Sequence, residues 1–148
     1  MYLCMINNIY SIIMATVKTT YLGSLRTEAE HLKSGTKIIT DAPTDNHGKG
    51  ESFSPTDLFA ASYASCALTI VGIATQTHSF NIDGATVETT KVMGENPRRV
   101  AELIINFTFP ANNYSDKERK IIEGAINACP VAQSFPAELK ITCSINYL

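Results

Sequence analysis

The sequence lacks the features that would indicate a nucleic-acid partner, a membrane partner or a disulfide scaffold. Its 12 Lys and Arg against 14 Asp and Glu give a net charge of −2, so there is no basic surplus to attract nucleic acid or anionic lipid. Its four cysteines, at positions 4, 66, 129 and 143, are too few and too scattered for a secreted disulfide framework. We therefore expect no nucleic-acid or membrane partner, and a reducing compartment, the cytoplasm.

Clustered metal ligands are also missing. The cysteines show no C-x-x-C spacing, and the three histidines, His31, His47 and His78, form no i, i+4 pair and have no ligands near them in sequence. Each histidine is interpreted as an ordinary surface or loop residue. The sequence predicts neither a metal site nor a bound cofactor.

Charge is absent from the first thirteen residues, MYLCMINNIYSII. They lack the positive n-region and the small-residue cleavage site of a secretory signal, and they are too short to span a bilayer. We expect Met14 to be the natural start, residues 1–13 to be a mis-called leader, and Cys4 to have no role. Residues 14–148 are long enough for a single domain with its own core.

The patterns of the remaining chain predict the order βββ–α–ββ–α–β and the class α+β. Turn residues divide Thr16–Asp41 into a three-stranded antiparallel meander, and Pro43–Phe53 has the composition of a surface loop. Strict alternation of apolar residues marks the later strands. The predicted later elements are a long helix from Pro55 to about His78, a strand over Ile82–Met93, a strand over Arg99–Phe109, a helix capped by Ser115 and Glu118 and ending near Cys129, and a strand over Ala137–Leu148.

The long helix is the element around which the chain is organised. Ser54 is a suitable N-cap, Pro55 suits the first helical position, and Asp57 stands where a capping-box carboxylate belongs. The helix is almost free of charge, so we expect it to be buried on most of its circumference. A domain of this size cannot cover it alone, which predicts a homodimer.

The cysteines divide into two groups. Cys143 lies on the apolar side of an alternating strand and is predicted to be an inert core residue. Cys66 and Cys129 both lie at helix positions that suit either core packing or chemistry, and the pattern alone leaves both open. If they are reactive, Arg26 from the strand meander is the candidate cation that would favour a thiolate, because Arg98, Arg99 and Arg119 are expected to face solvent.

The segment FSPTDLFAASYASC (residues 53–66), followed by Cys129-Pro130-Val131, resembles the OsmC/Ohr family of thiol-dependent hydroperoxide reductases. The resemblance extends from about Thr16 to the end of the chain. It implies an antiparallel sheet around a long buried central helix, in an intertwined homodimer. It also implies that Cys66 attacks an organic hydroperoxide, that Cys129 resolves the product as a disulfide, that Arg26 organises the thiolate, and that a dithiol of lipoyl type regenerates the pair.

The chain departs from the family pattern at one position. The pattern has Glu ten residues before the first cysteine, where this chain has Thr56, with Asp57 beside it and Glu51 further back in the loop. The carboxylate role is vacant or reassigned. The alternative function is therefore a catalytically weak dimer of the same fold that binds a small molecule or has a structural role.

Four aromatic residues are candidates for an apolar entrance that would favour organic hydroperoxides over hydrogen peroxide. They are Phe53, Phe59, Tyr63 and Phe135. Each of them, taken singly, is explained at least as well as an ordinary core residue.

Overall fold

A computed structural model describes residues 14–148 in two compact units, with the boundary in the chain at Pro55. We call residues 14–55 the N-terminal unit and residues 56–148 the C-terminal unit. The expectations for residues 1–13 and Cys4 lie outside the described residues. The single domain expected for residues 14–148 stays a prediction.

The N-terminal unit is a three-stranded antiparallel sheet in the order β1-β2-β3. The strands are β1 (Val17–Gly23), β2 (Arg26–His31) and β3 (Lys37–Asp41), as the turn residues predicted. Pairing of β2 with β3 sets Arg26 opposite Asp41. A residue from the start of one strand and a residue from the end of the next are thereby neighbours at one end of the sheet.

The loop after β3 folds back onto the sheet. The Asp41 N–H donates to the Phe53 carbonyl oxygen at 3.1 Å, and the Ser52 hydroxyl donates to the Ile39 carbonyl oxygen at 2.8 Å. Gly48 is needed in this loop because a Cβ atom there would overlap the carbonyl oxygen of Ala42. The loop thus has one compact path, which returns Glu51 to the end of β3.

The C-terminal unit contains three strands and three helices. Its elements are α1 (Pro55–His78), β4 (Thr86–Gly94), β5 (Arg99–Phe109), α2 (Asp116–Asn127), α3 (Pro130–Gln133) and β6 (Lys140–Tyr147). This order confirms the α+β class. The sheet is not wholly antiparallel as expected, because β6 pairs parallel to β5 while β4 pairs antiparallel to it. The helical connection through α2 and α3 carries the chain from the end of β5 back to the end at which β5 begins, which makes β6 parallel to it.

The core of the C-terminal unit follows the alternation in β5. Leu103, Ile105, Phe107 and Phe109 are all fully buried on one face of the strand. Helix α2 begins with the predicted capping box, in which Ser115 and Glu118 bond each other's backbone N–H, and it buries Ile122, Ala125 and Ile126 against the core. Both patterns were predicted from the sequence and are confirmed.

Helix α1 begins at Pro55 as predicted, but within the single chain it buries only one stripe. The buried residues recur every three or four positions: Ala60, Tyr63, Ala67, Val71 and Thr75. The other residues of the helix are half-buried or exposed, and Ile73 is 56% exposed. Burial on most of the circumference, as expected from the missing charges, is therefore not supplied by the described part of this chain. The helix is also long and apolar enough to cross a membrane, a criterion that core helices of soluble proteins meet as well.

Candidate functional site

The two helix-associated thiols meet in the C-terminal unit. Cys66 lies in the middle of α1, and Cys129 lies between α2 and α3, where Pro130 begins a new helix. The two side chains belong to the same packed cluster, and the Cys66 thiol is close enough to influence the ionisation of Cys129. Both are free thiols. The structure therefore brings together the two cysteines that the sequence left undecided between packing and chemistry.

The two thiols differ in their access to solvent. Cys129 is fully buried, whereas Cys66 is half-buried. Burial raises the pKa of the Cys129 thiol, and so does the neighbouring Cys66 thiol, while the N–H groups of Ala132 and Val131 oppose the shift. Cys129 is thus held as a neutral thiol beside a more accessible one. This asymmetry suits a pair in which Cys66 reacts with an outside molecule and Cys129 reacts with Cys66.

Tyr63 is a neighbour of the thiol pair. It lies one turn before Cys66 on α1 and is 4% exposed. Burial raises its pKa to about 12, with smaller contributions from the Cys143, Cys129 and Cys66 thiols. Its hydroxyl therefore stays protonated in the physiological range, as a neutral group among the three thiols. The sequence left Tyr63 open between an apolar entrance and an ordinary core position, and its burial agrees with the core position.

Cys143 is not the core residue that alternation predicted. It is exposed in the single chain, although its register partner Ile105 on β5 is fully buried. The physical reason is position, because β6 is an edge strand and has a neighbour on one side only. Partial desolvation still raises the pKa of the Cys143 thiol, which lowers its reactivity.

An apolar cavity of about 330 Å³ lies beside the segments that carry the thiols. Its lining comes from the turns of α1 before Cys66 and from the residues after Cys129: Phe59, Ser62, Pro130, Val131, Ser134 and Phe135. The ring centroids of Phe59 and Phe135 are 4.8 Å apart. Two of the four predicted entrance aromatics therefore line this cavity. The ring centroid of Tyr63 is 6.0 Å from that of Phe135. Phe53 is exposed in the N-terminal unit.

Arg26 is held by two carboxylates in the N-terminal unit. Its Nη2 donates to Asp41 Oδ2 at 3.3 Å and also to Glu51 Oε2. Among the described residues, Arg26 Nη1 and Nε have no acceptor, so part of the guanidinium fork stays available. Glu51 was one of the two carboxylates left open by the sequence, and it is an Arg26 partner. Asp41 was missed, although its place at the end of a strand opposite Arg26 in the meander is readable from the turn positions.

Thr56 and Asp57, the other residues at the departure from the family pattern, contact Lys91 of β4. The Lys91 Nζ donates to Thr56 Oγ1 at 2.6 Å and pairs with Asp57 Oδ1 at 2.8 Å. These contacts join the first turn of α1 to the sheet of the same unit. The position that holds Glu in the family pattern is thus part of a helix-to-strand contact in this chain.

Comparison with known proteins places the chain in a family. The model of the OsmC-like protein family matches residues 48–144, a range that includes Glu51, Cys66, Cys129 and Cys143. The chain belongs to the OsmC-like family. No curated protein gives a significant match.

Solved structures agree with this assignment. A protein from Psychrobacter arcticus, described as a candidate osmotic stress induced and detoxification response protein, is 49% identical, with 93% of this chain and all of that chain covered and a TM-score of 0.88. The OsmC-like protein of Mycoplasma pneumoniae is 16% identical over 89% of this chain and 95% of its own, with a TM-score of 0.75. An organic hydroperoxide resistance protein OsmC of Legionella pneumophila is 16% identical over 90% and 98%, with a TM-score of 0.67. The last two similarities show the fold.

Proposed function

We propose that this OsmC-like protein reduces organic hydroperoxides through a cysteine pair and so serves in the response to oxidative stress. The observation that carries the proposal is the packing of a half-buried Cys66 and a fully buried Cys129, both free thiols, in one cluster. Membership of the OsmC-like family and similarity in fold to a hydroperoxide resistance protein support it.

The chemistry balances with an external dithiol. The Cys66 thiolate attacks the distal oxygen of the hydroperoxide, the O–O bond breaks, and the alcohol leaves as Cys66 becomes a sulfenic acid. The Cys129 thiol attacks that sulfur, which forms a disulfide and releases water. A dithiol, of lipoyl type by the family resemblance, then reduces the disulfide and is itself oxidised. A cytoplasmic location, which we also propose, would keep such a dithiol reduced.

Arg26 is proposed as the cation that favours the Cys66 thiolate, on the basis of the family resemblance. Two properties of its own unit support the choice. Glu51 and Asp41 both bind Nη2, so Nη1 and Nε remain as donors for a sulfur or an oxygen. A guanidinium is also charged at every physiological pH, and Glu51 together with Asp41 raises the pKa of Arg26 further.

The substrate class follows from the cavity. Its lining is dominated by Phe59, Phe135, Val131 and Pro130, with the hydroxyl groups of Ser62 and Ser134 as the polar exceptions. Such a lining favours an alkyl or aryl hydroperoxide over hydrogen peroxide, because an apolar tail gains from leaving water.

Turnover of an alkyl hydroperoxide by the purified protein with a dithiol is the deciding measurement. Cys66→Ser should abolish peroxide consumption. Cys129→Ser should retain the first turnover and let Cys66 proceed to sulfinic acid, because the resolving thiol is gone. Cys143→Ser is the matched control and should behave as the unmodified protein. Peptide mapping after one equivalent of peroxide should find the Cys66–Cys129 disulfide, with Cys143 still a free thiol.

A protein that leaves both thiols reduced and the peroxide unconsumed would contradict this proposal. Saturable binding of a small apolar molecule in the 330 Å³ cavity, without turnover, would then support the alternative of a binding protein.

We also propose a homodimer in which a second copy covers the open faces of α1. The support is the single buried stripe on a charge-poor helix, with Ile73 left 56% exposed. Light scattering at micromolar concentration should give about twice the chain mass of 16.1 kDa. A mass near that of one chain would contradict the dimer.

A further inference from the structure

Two different kinds of carboxylate hold Arg26. The Asp41 side chain is completely buried, whereas the Glu51 side chain is 55% exposed. An exposed carboxylate is solvated whether or not it is paired, so it can leave an ion pair at little cost in free energy. A buried carboxylate that loses its cation stays behind as an uncompensated charge. Separating Arg26 from Glu51 should therefore cost less free energy than separating it from Asp41.

Asp41 is held in position by contacts that do not involve Arg26. It is the last residue of β3, opposite Arg26 in the register, and its own N–H is bonded to the Phe53 carbonyl oxygen. Its Oδ2 atom also accepts the backbone N–H of Glu51 at 2.9 Å. One oxygen atom thus binds both the guanidinium and the loop residue that carries the second carboxylate.

The buried Asp41 carboxylate in turn depends on the positive charge of Arg26. The other oxygen, Oδ1, is buried and has no hydrogen-bond partner among the described residues. The backbone N–H of Glu51 and the Arg26 guanidinium lower the pKa of Asp41, so the carboxylate is ionised at neutral pH. An ionised, buried group with one unbonded oxygen needs the charge of Arg26.

We infer that Asp41 is the residue that positions Arg26, and that Glu51 is its exchangeable second partner. Asp41 fixes the guanidinium through Nη2 and fixes the backbone of Glu51 in the loop. Arg26 would consequently stay in place when the Glu51 side chain leaves. The catalytic importance of Asp41 rests on the proposed function, in which Arg26 supports the reacting thiolate, but its hold on Arg26 does not.

The test that needs no activity is arginine side-chain NMR of the full chain labelled with ¹⁵N and ¹³C at arginine. Arg26→Lys assigns the Arg26 guanidinium signal. In the unmodified protein, rotation about the Nε–Cζ bond of Arg26 should be restricted. Glu51→Gln should leave it restricted, and Asp41→Asn should release it. Glu28→Gln, which removes the Lys37 partner on the same sheet, is the matched control and should have no effect.

Each outcome decides the inference. Free rotation of Arg26 in Glu51→Gln would overturn it, and this variant changes an exposed side chain, so it should fold. Restricted rotation in a folded Asp41→Asn would overturn it as well. If Asp41→Asn does not fold, Asp41→Glu, which keeps the charge on a longer side chain, should hold Arg26 restricted. Free rotation there, like free rotation in Glu51→Gln, counts against the inference.

The activity measurement separates this inference from the proposed function. With an alkyl hydroperoxide, Asp41→Asn should lower kcat/KM by about a hundredfold, as expected for a misplaced catalytic group, and Glu51→Gln should lower it less. An unmodified protein without turnover would refute the proposed function, while the NMR result would still decide whether Asp41 positions Arg26. Active protein with equal losses in both variants would count against a special role for Asp41.

Discussion

The two units of this protein are stabilised by different means. The C-terminal unit encloses the buried large apolar residues, among them Phe107, Phe109 and Ile122. In the described part of the N-terminal unit, the buried side chains are instead the polar Thr40, Asp41 and Ser54, while Tyr21, Leu22 and Ile38 are exposed. One unit is held mainly by apolar burial, and the other mainly by strand pairing and hydrogen bonds to a buried carboxylate.

This difference corresponds to a division of chemistry. The apolar unit keeps Cys129 neutral and beside Cys66, which a buried, low-polarity setting favours. The polar unit holds the charged guanidinium of Arg26 in place through two carboxylate partners. In the homodimer that we propose, a second copy would cover the exposed side of α1.

The largest expected effect is on the apolar unit. Phe107→Ala should lower the free energy of unfolding by about 3–5 kcal/mol, because it leaves a cavity where a fully buried ring was packed. Urea denaturation measures the change. The matched variant is Glu88→Ala on the neighbouring strand β4, an exposed position, which should change it by about 0.5 kcal/mol or less. Equal costs would contradict the picture of a unit held by its core.

A smaller effect is expected in the polar unit. Gly48→Ala should destabilise the N-terminal unit by about 1–3 kcal/mol, because the added methyl group overlaps the Ala42 carbonyl oxygen and must displace the loop. Hydrogen exchange of residues 42–53 should increase. Gly124→Ala on α2, where a Cβ atom meets nothing within 4 Å, is the control and should stabilise the protein by about 0.4–1 kcal/mol. Unchanged hydrogen exchange of this loop in Gly48→Ala would show that the loop can follow another path.

The capping box of α2 should have a local effect of about 1 kcal/mol. Ser115→Ala removes the acceptor for the Glu118 N–H and the partner of the Glu118 carboxylate. Thermal denaturation should show a lower Tm. Ser144→Ala, an exposed hydroxyl on β6, serves for comparison and should cost less. Equal losses would mean that the cap is not what fixes the start of α2.

The smallest expected effect is a local opening in acid. The pKa of Asp41 is lowered in the folded state, so its contribution to stability is present above its unfolded pKa of about 4 and is lost as the pH falls through the lower folded value. Hydrogen exchange below pH 4 should therefore rise first in the N-terminal unit. Asp41→Asn should remove that pH dependence. Simultaneous opening of both units would contradict their stabilisation by different means.

Much of the fold was predictable because local signals and tertiary structure agree. Pro55 marks the start of α1, and Ser115 with Glu118 marks the start of α2. The alternation in Arg99–Phe109 marks the buried face of β5. Each of these depends on chain geometry over a few residues. The strand order in the meander followed from the turns for the same reason.

The sequence by itself determined the elements, the helix starts and the candidate thiols, because capping, turn chemistry and periodicity act between residues close in the chain. Only the tertiary structure decided the contacts between distant residues. It joined Cys66 to Cys129, gave Arg26 to Glu51 and Asp41, assigned Thr56 and Asp57 to Lys91, and left Cys143 exposed at a sheet edge. Alternation fixes the side of a strand on which a residue lies, but burial also requires a neighbour over that side, and no local pattern specifies that neighbour.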